Sequence, residues 1–163
     1  MQFYPLLLSL HIVFAGFWLI NFLAEPIFKK SIANSKGKAG ENSLISLYLK
    51  FSNLSGTLAA VGILVTGILL VVLNPGYGFF QFTANHWLVS KQIVMVVILI
   101  LLGWKLIPTA KKLRLAISDE IKSPVEYNSQ IHENLKKLYQ VNFQVNLLVI
   151  VNFLMAITRV FYS

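Results

Sequence analysis

Four runs of about 20 predominantly apolar residues, each long enough to cross a bilayer, leave this chain few folds to choose from. They lie near Tyr4–Leu23, Leu54–Leu73, Trp87–Ile107 and Tyr139–Ile157. Lipid offers no hydrogen bonds to the backbone, so such runs cross as helices. With 56% hydrophobic and 12% charged residues, the chain has too little charge to cover a water-soluble surface. The segments between the runs are too short for a separate soluble domain. The expected fold is therefore an all-α membrane protein, an antiparallel four-helix bundle forming a single domain over residues 1–163.

Charge placement orients it. Lys29, Lys30, Lys36, Lys38 and Lys50 fall between spans one and two. Lys105, Lys111, Lys112, Arg114, Lys122, Lys136 and Lys137 surround the connection between spans three and four, whereas Asn74 to His86 carries no Lys or Arg. Basic residues collect on the cytoplasmic side, so both termini and the middle loop are expected outside, in a bacterial inner membrane. This distribution accounts for the net charge of +8 without invoking nucleic acid. No basic residue precedes the first run and no small-residue cleavage site follows it, so it reads as a retained span.

The outer loop, Asn74-Pro75-Gly76-Tyr77-Gly78-Phe79-Phe80, combines helix breakers with aromatics suited to the headgroup level. Ser31 to Glu41 is small and polar and reads as a flexible loop. Ser123-Pro124-x-Glu126 offers an N-cap, a first-turn proline and a capping-box acid. A helix is expected to start there and run through Lys136 and Lys137 into span four. With residues near 108–138 it forms a cytoplasmic helical extension.

Candidate functional residues are the polar groups inside the spans, which usually face a bundle interior, a cavity or a cofactor. His11 lies roughly 10 Å below the outer end of span one, Lys91 roughly 6 Å inside span three, and Asn152 roughly 10 Å inside span four. Thr66 of span two falls in the same slab. His11, Ala15, Trp18, Phe22 and Glu25 share one helical stripe, and Asn152 shares another with Arg159. Gly56, Ala60, Ile63 and Gly67 make a small face on span two, open to close helix packing or to a flat macrocycle. The same face is available to a second copy or a membrane-complex partner. Asn142 and Asn146 read as interhelical hydrogen-bonding groups of the inner half. His86 and His132 read as solvated. The absence of Cys excludes thiolate sites, and no phosphate-binding loop, nucleophile elbow or zinc-protease pattern occurs.

Leu10-His11-x6-Trp18, followed by Pro26 and Phe28, resembles the first span of the HemJ-type protoporphyrinogen oxidases. Those are small four-helix membrane proteins with heme b, related to copper-resistance D-type membrane domains. Trp87-Leu88-x2-Lys91 resembles the lysine-bearing span of that family. The resemblance implies that His11 and Lys91 are the axial heme ligands. Departures fall elsewhere: Ala24 and Ile27 stand where the family has Tyr and Arg near its proline. Gln140 to Ile157 lacks the family's Arg and its Asn-Glu-x-Pro element. The resemblance therefore carries the ligand pair further than it carries oxidase activity.

Ligand chemistry is compatible with that pair. Heme iron takes neutral nitrogen donors from opposite faces, and burial favours the neutral amine that a liganding lysine needs. Copper fits less well, with no Cys and three scattered Met. The expected function is a heme b-binding redox or electron-transfer protein. His11 and Lys91 would bind iron, Trp18 would shape the interior, Thr66 and Asn152 would supply supporting hydrogen bonds, and Arg159 would pair with a propionate. Two rivals stand beside it: an accessory or assembly subunit whose polar layer fixes helix register, and a small-solute or metal-ion transport component.

Overall fold

The computed structural model describes residues 3–83, 86–119 and 124–158, with side chains omitted at 119 and 124–129. Five α-helices follow in order: α1 Tyr4–Asn34, α2 Glu41–Val72, α3 His86–Leu101, α4 Ile107–Asp119 and α5 Pro124–Thr158. A π-helical stretch, Leu102–Leu106, joins α3 to α4. Among the described residues there is no strand.

Four helical stretches are long and apolar enough to span a membrane: Tyr4–Asn34, Glu41–Val72, His86–Ser118 and Gln130–Thr158. Their most apolar windows have mean hydropathies of 2.1, 2.3, 2.3 and 1.8, yet at most 22% of any window is buried inside the protein. Apolar side chains that face outward in such numbers need lipid around them. Leu54 is 73% exposed and Ile27 69%. The chain is a multi-pass membrane protein. At 31 and 32 residues, α1 and α2 reach about 46–48 Å, well beyond the roughly 30 Å hydrocarbon core. Each helix thus continues past its apolar run into the lysine-bearing segments.

Two compact units make up the chain, Met1–Gln92 and Ile93–Ser163. In the first, α1 and α2 form a hairpin whose contacts run in opposite directions along the two helices. His11 meets Thr66, Phe14 meets Gly62, Asn21 meets Gly56, and Phe28 packs on Tyr48 and Phe51 with ring centroids 5.5 and 5.4 Å apart. The inward positions of α1 are His11, Phe14, Trp18, Asn21, Glu25, Phe28 and Ile32; those of α2 are Ile45, Tyr48, Ser52, Ser55, Ala59, Gly62 and Thr66. Both series step by alternating three and four residues, the 3.5-residue period of knobs-into-holes packing. That period explains a difference from the expected stripe. Positions 14 and 21, rather than 15 and 22, complete the seam with His11, Trp18 and Glu25.

The turn between α1 and α2 is shorter and better tied than a flexible loop from 31 to 41. Helix α1 continues to Asn34, and the chain reverses within residues 35–40. Gly37 and Gly40 take left-handed φ values of 71° and 101°, which a side chain rarely adopts. The Gly37 amide donates to Glu41 Oε2 at 2.7 Å, closing the turn onto the start of α2.

The loop between α2 and α3 is also fastened. Asn74 Oδ1 accepts from the Gly76 amide at 3.0 Å, an Asx turn. Gln92 of α3 accepts from the Phe80 amide at 2.7 Å and donates to the Gly78 carbonyl at 3.3 Å. Tyr77 meets Trp87 edge-on at 5.9 Å.

In the second unit, α5 begins at Pro124, as the sequence pattern predicts, and is continuous for 35 residues through Lys136 and Lys137. The expected N-cap Ser123 lies outside the described residues. Ile131, Leu135, Leu138, Asn142 and Val145 are buried at three- and four-residue steps, opposite buried Leu113 and Ala116 of α4.

Candidate functional site

The α1–α2 seam is a line of polar side chains set in an apolar hairpin, and His11 lies on it nearest the start of α1. Helix α2 places Thr66 directly against it: His11 Nδ1 and Thr66 Oγ1 are 2.8 Å apart. The direction of this bond follows from counting protons. Thr66 has one hydroxyl hydrogen, and its Oγ1 lies 2.6 Å from the Gly62 carbonyl, an acceptor only. Oγ1 therefore donates to Gly62 and accepts from His11. In the uncharged ring this places the proton on Nδ1 and the lone pair on Nε2, a tautomer assigned from the hydrogen-bond network.

Glycines let the ring approach. A Cβ on Gly67 would lie 3.4 Å from His11 Cε1, and a Cβ on Gly62 would run into the Phe14 ring. Gly56 and Gly67, at the two ends of the small face of α2, lie against Asn21 and His11 of α1. Phe14 fills the space at Gly62.

Lys91 is half-buried near the start of α3, with Nζ 5.7 Å from the Trp87 ring centroid in a cation–π contact. Trp18 is 4% exposed, two turns along the seam from His11. Asn152 lies on α5 in the second unit. It is half-buried, and its Oδ1 has no hydrogen-bond partner among the described residues. Arg159 lies outside the described residues. His86 is exposed, whereas His132 is half-buried rather than solvated, because α5 turns part of its ring inward.

Below the histidine, the seam buries Glu25, which the sequence places on the His11 stripe, and Asn21, which sequence reasoning passed over. Asn21 is buried against Gly56. Glu25 is buried as well, with Lys29 Nζ 2.8 Å from Oε1 one turn along. The signal was available: Asn21 falls seven residues from Phe14 and Phe28, on their heptad position.

His11, with one ring nitrogen bonded to Thr66, has the other nitrogen left for a further partner. Metal-binding histidines characteristically commit one ring N–H to a neighbouring acceptor and present the other nitrogen. Thr66 provides that commitment here. A bare ion finds less: among the described residues no group of three or more His, Asp or Glu converges. No family model, curated protein or solved structure matches the chain.

Proposed function

We propose that the chain is a heme b-binding redox protein of the bacterial inner membrane. In this reading the four spans form an antiparallel bundle, with both termini outside and the lysine-rich connections in the cytoplasm. The observation that carries the proposal is the His11–Thr66–Gly62 chain, which fixes the imidazole tautomer and leaves Nε2 as a donor lone pair. The resemblance of the His11 and Lys91 segments to the HemJ-type oxidases points the same way.

Each residue then has a definite task. His11 holds iron through Nε2, while Thr66 keeps the ring from turning. Lys91 is the second nitrogen donor, and to act it must lose its proton and give up its contact with Trp87. Trp18 and Phe14 exclude water from the ring's inner edge. Asn152 and Arg159 retain the supporting roles assigned from depth. A bound heme supplies one-electron transfer, and its potential follows from the ligand pair and their hydrogen bonds.

A second reading has its own support. With Phe14 seated on Gly62, the polar seam also fixes the register of α1 against α2, as an accessory or assembly subunit would need. Visible spectra of the detergent-purified chain, oxidised and reduced, with pyridine-hemochrome analysis, separate the two. The heme reading expects a Soret band that shifts on reduction and disappears in His11→Ala. A folded, colourless preparation made with ample heme supports the subunit instead. Lys91→Met is expected to change the spin state, and an unaltered spectrum removes Lys91 from the iron.

A further inference from the structure

The second unit carries an open, basic groove between α4 and α5. Its two lobes, of 440 and 370 Å³, both border on Lys112 and Lys137. Lys105 joins them on the membrane side, and the acid on the walls is Glu133. Among the described residues Lys105 and Lys112 have no ion-pair partner, while Lys137 reaches Glu133 at 2.6 Å in an exposed pair. Such a pair is weak and exchangeable.

The π-helical stretch sits at the mouth of this groove. One extra residue in the turn widens the helix there, a feature common at functional sites. Trp104, within the stretch, is 81% exposed and lines the groove beside Lys105. Toward the apolar core the same helical stripes turn hydrophobic and stay exposed. Val97 and Ile100 precede Trp104 at helical spacing, and Leu147 follows Gln140 and Gln144. A groove with cationic walls, an amphipathic aromatic at its rim and apolar rails leading from it matches one kind of molecule. It suits an anionic head with hydrocarbon tails.

We propose that the α4–α5 groove binds the headgroup of an anionic phospholipid. Lys105, Lys112 and Lys137 would meet the phosphate, and the acyl chains would lie along the exposed apolar stripes. General attraction of basic segments to anionic membranes does not need a groove. The distinction is testable because Lys111 and Lys136 are equally exposed, lie on the same two helices and do not line it.

The test uses the full chain in nanodiscs of phosphatidylcholine with a minor fraction of phosphatidylglycerol. Lipid retained after detergent extraction is counted by mass spectrometry. The wild type is expected to retain phosphatidylglycerol above its bulk fraction. Lys105→Gln/Lys112→Gln should lower that retention about thirtyfold, since each lysine near an anionic surface contributes about fivefold. Lys111→Gln/Lys136→Gln should leave it nearly unchanged, and Glu133→Gln should raise it. An unaltered melting temperature certifies that each variant is folded. Equal losses in both lysine pairs would reduce the effect to diffuse surface charge. Absence of enrichment in a folded wild type would overturn the proposal. Displacement of the lipid by millimolar inorganic phosphate would identify the occupant as a free anion.

Discussion

The α1–α2 seam and the α4–α5 groove are both formed by pairs of contacting helices, yet one closes on its polar residues and the other stays open around them. Along α2 the inward positions are Ser52, Ser55, Ala59, Gly62 and Thr66, small enough for the larger side chains of α1 to seat between them. Polar groups trapped there, His11 and Asn21 among them, are buried or half-buried and must find partners within the protein. Along the mouth of the groove stand Trp104, Lys105, Lys112, Gln140 and Gln144, long side chains that keep the helices from closing. Their polar ends reach solvent instead. Residue size thus decides whether a polar group acts as an internal donor or as an external binding group.

The largest expected effect comes from closing the seam's one compulsory gap. Gly62→Val places methyl groups where the Phe14 ring lies, and overpacking of this kind costs about 1–3 kcal/mol. Thermal unfolding in detergent should show a clear loss. Gly16→Ala, whose added methyl meets nothing within 4 Å, should be neutral or slightly stabilising. Equal effects at both glycines would mean that the seam is not closely packed.

Thr66→Val keeps the shape and removes the hydroxyl, leaving the His11 Nδ1–H without its acceptor. We expect a loss of about 1 kcal/mol in stability, the upper part of the range for hydrogen bonds between membrane helices. If heme is bound, its affinity should fall about 10–100-fold, as for other supporting groups behind a metal-ligating histidine. Thr66→Ser should restore both. A Val variant with unaltered heme affinity would detach Thr66 from the site.

Lys29→Met removes the cation 2.8 Å from the buried Glu25 carboxylate, whereas Glu25→Gln removes the buried charge itself. The first should destabilise more than the second, though by only about 1 kcal/mol because the lysine is 37% exposed. Unfolding midpoints in the reverse order would show that Glu25 is not held as a carboxylate. Smallest of all, Glu133→Gln in the groove should leave the melting temperature unchanged, because both partners of that pair are well exposed.

The sequence shows some of this plainly and hides the rest for physical reasons. Depth was readable, because helical rise is constant, and it set His11 level with Thr66. Facing was harder. A helix that is apolar all round gives no outward polar face to subtract, so the 3.5-residue seam through Phe14 and Asn21 was displaced by one position from the stripe through Ala15 and Phe22. Glu25 was legible on the His11 stripe, and α1 buries it beside Lys29. The π-helical stretch over Leu102–Leu106 leaves no mark in composition, so the exposure of Trp104 emerged only in three dimensions.

The central claim is that Thr66 holds the His11 ring by its Nδ1 proton and leaves Nε2 to accept. With three histidines in the chain, nitrogen-15 labelling of the rings resolves His11 after comparison with His11→Gln. In the heme-free protein at neutral to mildly alkaline pH, the account predicts a protonated Nδ1 coupled to its hydrogen and a bare Nε2. A His11 signal showing the proton on Nε2, with Nδ1 bare, would contradict it.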